Sequence, residues 1–243
     1  MSGSRCQNAG SPKIGIQTIS WGSRIEDINL ALSQIGQLSY NGVEFAQSVD
    51  VLGPAAELGK MLNEYKLCPI GLAGGSLLSR VEYAQQLDPE YLYTDEWDES
   101  GIALALEKGY VVGLHPHIYK SIGSLRTAEE CLQKYPQLRL IVDTAHFYLT
   151  GDDVIETLKR YEDRVIAVHL KDWTSRFGKS LFRFARGFTE LGKGDLRGLL
   201  DSVVSHLMKS QYEGWIIVEQ DNPNGEPEES ARISREWLRA RGL

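Results

Sequence analysis

Four stretches of the chain share one pattern, in which a short apolar run ends directly in histidine, aspartate or glutamate. The stretches are residues 111–117, 140–146, 165–172 and 215–221. Apolar runs of this length are typical of strands that are buried on both faces of a parallel sheet. A carboxylate at the end of such a strand is costly to bury unless it is paired or bound to a metal. We therefore expect the four strand ends to converge and to carry the chemistry.

Extended and helical patterns alternate along the rest of the chain. Further strands are predicted at 14–21, 40–45, 67–73 and 90–94, and helices at 25–38, 55–65, 78–87, 101–108, 127–134, 153–161, 196–209 and 227–241. Regular alternation predicts a parallel sheet, and eight units in about 230 residues is the count of a (β/α)8 TIM barrel. An open doubly wound sheet is the alternative, but no glycine-rich phosphate turn follows the first strand.

The predicted barrel fills one domain, residues 13–243, because no change in composition marks a boundary within it. Residues 1–12 are rich in serine, glycine and asparagine, and we expect them to form a disordered N-terminal tail. The fourth β/α unit is predicted to be shortened, since only residues 95–109 separate its strand from the next unit.

Charge and cysteine content exclude several classes of protein. The net charge of −7 argues against nucleic-acid binding, which requires a basic surface, and offers no attraction to anionic lipid. No apolar run approaches the ~18 residues of a membrane span. The three cysteines, Cys6, Cys68 and Cys131, are widely spaced and odd in number. They predict a cytoplasmic protein without disulfides.

Four of the five histidines lie at the predicted strand ends, and only His206 lies within a helix. A single histidine there is more often a structural hydrogen-bonding group, but four beside two carboxylates favour a divalent metal site. Nitrogen and oxygen ligands without thiolate suit Mn²⁺, Co²⁺, Fe²⁺ or Zn²⁺. The expected ligands, one from each of the four strands, are His115, Asp143, His169 and Glu219.

The chain resembles the xylose-isomerase-like barrels of sugar phosphate isomerases and epimerases, from Ile14 to its end. The segments that carry the resemblance are Gly15-Ile-Gln-Thr-Ile-Ser-Trp21, Leu114-His-Pro-His117, Val142-Asp-Thr-Ala-His-Phe147, Val168-His-Leu-Lys-Asp172, Leu191-Gly-Lys-Gly194 and Gly214-Trp-Ile-Ile-Val-Glu-Gln-Asp221. The His-x-His and Glu-Gln-Asp segments favour the inosose dehydratase (2-keto-myo-inositol dehydratase) group. The resemblance implies a metal-dependent enzyme with a small sugar or polyol substrate, and a homodimer is an open alternative to a monomer.

Two departures from the family pattern affect the expected reaction. Epimerases of the superfamily usually carry a metal-binding glutamate where His115 stands, and they move a proton with two carboxylates. This chain keeps only Glu219 of that pair, which favours a lyase that removes water from a keto-polyol or keto-sugar. A metal-dependent sugar isomerase or epimerase is the alternative. The second departure is the shortened fourth β/α unit, which removes part of a pocket wall. A non-catalytic sugar-binding barrel is therefore a third interpretation.

A dehydration of this kind requires a base, an acid and a group that stabilises the developing enolate oxygen. We expect catalysis from His146, Lys171 and Glu219, with Lys171 near the oxygen and His146 or His117 transferring protons. As an alternative to proton transfer, both histidines would orient the metal ligands. The alternative for Lys171 is a solvated lysine without a catalytic role.

Further residues at the same end of the predicted strands are candidates for substrate binding. Glu44 follows the second strand and is expected to bind substrate hydroxyls. The alternative is that it is a structural carboxylate. Trp21 offers a wall for a sugar ring, although packing is its more common use. The expected substrate-binding residues are His117, Glu44, Trp21, Asp172 and Gln220, with Asp221 beside Gln220 as a further contact.

Overall fold

Eight parallel strands close into a barrel in the computed structural model, which describes residues 12–177, 186–223 and 225–243. The barrel strands are β1 Lys13–Gln17, β2 Gly42–Ser48, β3 Cys68–Gly74, β4 Tyr91–Thr94, β5 Val112–Leu114, β6 Arg139–Asp143, β7 Val165–Leu170 and β10 Trp215–Val218. Each strand pairs with its neighbours in chain order, and β10 pairs with β1 to close the ring. The predicted (β/α)8 barrel is confirmed. The predicted tail lies, up to residue 11, outside the described residues.

Helices follow the strands on the outside of the barrel. They are α1 Ile28–Gln37, α2 Val49–Leu52, α3 Ala55–Glu64, α4 Leu77–Leu87, α5 Glu99–Glu107, α6 Leu125–Lys134, α7 Thr144–Thr150, α8 Val154–Arg160, α9 Arg197–Lys209 and α10 Pro227–Arg239. Short polar side chains cap several of them by accepting a backbone N–H of the first turn. The capping residues of α1, α4, α5, α6 and α8 are Asp27, Ser76, Asp98, Ser124 and Asp153.

The fourth unit is as short as predicted, since β4, α5 and β5 contain four, nine and three residues. The described residues include elements that were not predicted, among them the short helix α2. The helix α7 begins immediately after β6 and contains His146. An antiparallel pair, β8 Asp172–Trp173 and β9 Phe188–Thr189, lies beyond the end of β7.

Apolar side chains form two layers, one between sheet and helices and one inside the barrel. The inner layer includes Ile70, Tyr91, Ile141 and Trp215. Large rings fit there because glycines face them from neighbouring strands: a Cβ on Gly71 would lie 2.6 Å from the Tyr91 ring. Tyr91 thus extends across the interior beneath the C-terminal ends of the strands, where the polar residues gather.

The cysteine prediction is wrong. Cys68 is disulfide-bonded, whereas Cys131 is free. Wide spacing along the sequence says little about pairing, because a disulfide requires only that two residues be close in space. Among the described helices, none is long and apolar enough to cross a membrane.

Candidate metal centre

The four expected ligands meet at the C-terminal end of the barrel. His115 follows β5, Asp143 ends β6, His169 lies near the end of β7, and Glu219 follows β10. One ligand atom from each lies within 4.8 Å of the others, and all four residues are buried. Neighbouring parallel strands end at the same edge, which explains how residues remote in sequence converge.

The donor atoms of this cluster suit a divalent cation. Asp143 Oδ1 accepts the backbone N–H groups of Ala145 and His146, each at 2.8 Å. Its Oδ2 faces His115 Nε2 at 3.5 Å, and among the described residues neither of these two buried atoms has a hydrogen-bond partner. Buried polar atoms are normally satisfied, so an uncompensated imidazole nitrogen opposite a carboxylate oxygen fits a metal ion.

Lys171 places a positive charge beside the cluster. Its buried Nζ lies 2.5 Å from Glu219 Oε1 and 2.9 Å from Asp221 Oδ2, with the Phe188 ring 4.3 Å away. Burial by itself would lower the pKa of Lys171, but Asp221 and Glu219 outweigh it and raise the pKa. The Lys171 side chain is therefore an ammonium. Burial by itself would raise the pKa of Glu219, but Lys171 and His169 outweigh it and hold that pKa well below its usual range.

His117 and His146 form a pair of imidazoles next to the ligands. Their ring centroids are 3.8 Å apart, and that of His146 is 5.6 Å from that of His115. Burial, with the charges of His115 and Lys171, lowers the pKa of His117 to about 4. Burial also lowers the pKa of His146 well below its usual value, although Asp143 opposes this. These lowered pKa values favour the neutral form of both imidazoles near pH 7.

Glu44 does not line the cavity described below but lies beneath the cluster, fully buried. Its Oε1 accepts Gln17 Nε2 at 2.6 Å and lies 3.1 Å from His169 Nε2. Its Oε2 accepts the Tyr91 hydroxyl at 2.5 Å. The structure therefore places Glu44 against His169, one of the four expected ligands, and not where it would contact substrate.

Trp21, Asp172 and Gln220 also lie away from the cavity. The Trp21 indole donates to Gln34 Oε1 at 2.9 Å. Asp172 accepts backbone N–H groups from the turn at residues 192–196, which explains its burial. Gln220 is 2% exposed. These positions favour structural roles for the three residues over the predicted contact with substrate.

A cavity of about 500 Å³ opens beside the cluster, within the range of small-molecule sites. Gln17, Tyr93, His117, Glu219 and Asp221 line its inner part. Asp221 was predicted as a further substrate contact, whereas Gln17 and Tyr93 were not predicted. Tyr93 could have been predicted from β4, because alternate residues of a strand lie on the same face and Tyr91 and Tyr93 therefore both point into the barrel.

The outer part of the cavity is lined by loops that follow β3, β4 and β5, and it is predominantly acidic. Asp95, Glu96 and Asp98 contribute carboxylates. Lys120 is paired, with Nζ 3.2 Å from Glu96 Oε1 and 3.7 Å from Asp95 Oδ2. The buried Arg80 guanidinium donates to main-chain carbonyls, including that of Leu72 at 3.0 Å. Neither cation is left uncommitted for an anionic ligand.

A family model described as xylose isomerase-like TIM barrel matches residues 46–241. The chain belongs to this family. The inosose dehydratase of Mesomycoplasma hyopneumoniae is 33% identical over 147 residues, which cover 55% of this chain and 49% of that protein. The chain thus spans about half the length of the curated relatives that it matches.

Solved structures share the fold at lower identity. The IOLI protein with a bound zinc atom has a TM-score of 0.73 at 15% identity, covering 93% of this chain and 96% of that one. The probable 3-DHS dehydratase AsbF from Bacillus anthracis has a TM-score of 0.72 at 13% identity, with coverage of 93% and 98%. At these identities the solved structures show that the fold is shared.

Proposed function

We propose that the protein is a metal-dependent lyase that removes water from a keto-polyol or keto-sugar. The observation that carries the proposal is the composition of the cluster. One ammonium and two neutral imidazoles lie against a four-residue ligand set in which histidine, not a second glutamate, follows β5. Relatives named inosose dehydratase support the same reaction class.

The first chemical requirement is stabilisation of negative charge on the ketone oxygen, because the neighbouring C–H is otherwise only weakly acidic. His115, Asp143, His169 and Glu219 would hold a divalent ion, which would supply Lewis-acid stabilisation of that charge. The Lys171 ammonium adds a fixed positive charge from behind Glu219 and Asp221, which line the cavity. A preorganised charge in a buried site acts strongly because little reorganisation is needed.

The second requirement is proton transfer from carbon to the leaving hydroxyl. The pair of His117 and His146, with ring centroids 3.8 Å apart, is the proposed carrier of this proton: one imidazole accepts it from carbon and the pair passes it on to the leaving hydroxyl. His117 is the member of the pair that lines the cavity. Glu219 borders both the ligand cluster and the cavity, and it is the remaining candidate base. A single acid–base set on one side of the substrate suits elimination better than proton transfer between two faces.

The substrate that best matches the cavity is uncharged. Asp95, Glu96, Asp98 and Asp221 give its wall a negative potential, which repels phosphate and carboxylate groups. Keto-inositols and neutral keto-sugars present hydroxyl groups that such carboxylates accept as hydrogen-bond donors.

The test is the mass of the product. We expect the protein, loaded with Mn²⁺ or Co²⁺, to convert a keto-inositol to a product lighter by one water, with new near-ultraviolet absorption. A product of unchanged mass would replace the lyase with a sugar isomerase or epimerase. Binding of the ketone without turnover, at full metal occupancy, would favour the sugar-binding barrel instead.

A further inference from the structure

Each histidine of the cluster has one ring nitrogen facing the other ligand atoms and the opposite nitrogen facing a residue outside the cluster. For His115, Nε2 faces Asp143 at 3.5 Å and Nδ1 lies 2.7 Å from the Tyr93 hydroxyl. For His169 the arrangement is reversed: Nδ1 lies 2.5 Å from Glu219 and Nε2 lies 3.1 Å from Glu44. The two imidazoles thus present opposite nitrogens to the cluster.

A neutral imidazole carries one proton and one lone pair, and only the nitrogen with the lone pair binds a metal. The group that contacts the other nitrogen decides which one this is. We propose that Glu44 and Tyr93 are positioning residues that select Nδ1 of His169 and Nε2 of His115 for the metal. This inference rests on the proposed metal centre and assigns to Glu44 a role different from the predicted substrate contact.

The surroundings of Glu44 suit it to this task. It is fully buried, and a buried carboxylate must be compensated by hydrogen bonds or charge. Gln17 and Tyr91 supply two donors, and His169 Nε2 is the third polar neighbour. In the proposed arrangement this carboxylate accepts a hydrogen bond from Nε2–H, and the Nδ1 lone pair points towards Glu219 and the remaining ligands.

Tyr93 controls His115 through both ring and hydroxyl. The two rings are stacked, with centroids 4.6 Å apart and planes inclined by 27°, which restrains rotation of the imidazole. The hydroxyl oxygen lies 2.7 Å from Nδ1. In the proposed tautomer it accepts a hydrogen bond from Nδ1–H, and the lone pair remains on Nε2. A neutral imidazole has a single lone pair in a fixed direction, so His115 needs a residue that orients its ring.

The experiment compares Glu44→Gln and Tyr93→Phe with matched controls. Glu90→Gln makes the same change in a carboxylate at the opposite end of the barrel, where Glu90 accepts the Trp215 indole. Tyr40→Phe removes a buried hydroxyl that donates to a carbonyl outside the barrel. The measurements are Co²⁺ affinity by competition with a chromophoric chelator, the visible spectrum of bound Co²⁺, and thermal unfolding of the metal-free protein.

We expect each positioning variant to bind Co²⁺ about 10–100-fold more weakly and to show a changed visible spectrum, while both controls match the unchanged protein. Normal affinity and spectrum in Glu44→Gln and Tyr93→Phe would overturn the inference and leave the metal centre intact. Failure of the unchanged protein to bind any Co²⁺ would instead remove the proposed metal centre, and the inference with it.

A folding defect in Glu44→Gln would be visible as a lower unfolding temperature without metal. In that case Tyr91→Phe tests the positioning role of Glu44, because it keeps Glu44 and removes only the hydroxyl that donates a hydrogen bond to its Oε2. A well-folded Tyr91→Phe protein with weakened Co²⁺ binding supports the positioning role of Glu44. One with unchanged binding and an unchanged spectrum contradicts it.

Discussion

At the scale of single residues, the site depends on side chains that serve structure and chemistry with different atoms. Asp143 uses Oδ1 to cap the helix α7 and leaves Oδ2 towards His115. Lys171 is held by Glu219 and Asp221, so one ammonium both neutralises buried carboxylates and supplies charge at the cavity. A substitution at one of these positions therefore separates the structural role from the chemical role only when the new side chain preserves one of the two.

Asp143→Asn is such a substitution. Asparagine caps helices about as well as aspartate, so the fold is expected to persist while the loss of charge abolishes tight metal binding. Asp143→Ala removes the cap as well and should cost about 1 kcal/mol more in unfolding free energy. Bound metal and urea unfolding measure the two effects. The control is Asp153→Asn, which alters the exposed cap of α8; full metal occupancy in Asp143→Asn would rule out this ligand.

Lys171→Met tests the charge behind the cavity. We expect kcat to fall by about 10²–10³-fold, as for the loss of one group that stabilises an oxyanion, with metal content unchanged because Lys171 is not a ligand. Steady-state kinetics of the metal-loaded enzyme provide the measurement. Lys60→Met, on the exposed face of α3, is the control, and wild-type kcat in Lys171→Met would exclude the proposed role.

At the scale of elements, the strands position the site through the layer inside the barrel. Tyr91 of β4 reaches Glu44 of β2 across the space left by Gly71 of β3. A contact between three successive strands thus supports the carboxylate that lies against His169. The packing of the inner layer and the geometry of the ligand cluster are consequently linked.

Gly71→Ala should expose that link. Its Cβ would lie 2.6 Å from a buried ring that cannot move freely, and overpacking of this kind costs about 1–3 kcal/mol. We expect a lower unfolding temperature together with weaker metal binding. Gly59→Ala in α3, where nothing lies within 4 Å of the added Cβ, should be neutral or stabilising by up to about 1 kcal/mol. Equal behaviour of the two variants would argue against the link.

At the scale of the whole molecule, the ligands come from four strands that span half of the ring. A metal that bridges β5, β6, β7 and β10 binds the folded chain only, because the unfolded chain does not bring these residues together. Its binding free energy is therefore added to the stability of the entire barrel.

Metal addition is expected to raise the unfolding temperature of the protein by about 5–10 °C. This follows from about 2.7 kcal/mol of stabilisation at a free concentration of 100 times Kd and 2–4 °C per kcal/mol for a chain of roughly this size. Calorimetry with and without Mn²⁺, Co²⁺ or Zn²⁺ measures the shift, and Asp143→Asn should abolish it. An equal shift in both proteins would place the metal elsewhere.

Much of the architecture could be predicted from the sequence because local patterns of apolar and polar residues determine the strands and helices. The apolar runs that end in polar residues located β5, β6, β7 and β10, and the regular alternation with helices predicted the closed barrel. The rule that parallel strands end at one edge then brought His115, Asp143, His169 and Glu219 together. The helix α7 was missed because it begins directly after β6, and no glycine or proline separates the two elements in the sequence.

What the sequence by itself determined is which residues stand at the ends of which strands, since a strand repeats every two residues and its polar end is visible in the pattern. Only the tertiary structure decided what each of them faces. Glu44, Asp172 and Gln220 were predicted to lie at the same strand ends as the ligands, yet Glu44 lies within β2 against His169, Asp172 holds a turn and Gln220 is buried. Which side chain reaches the cavity depends on the tilt of the strands and on contacts between residues far apart in the chain, and no local pattern records these.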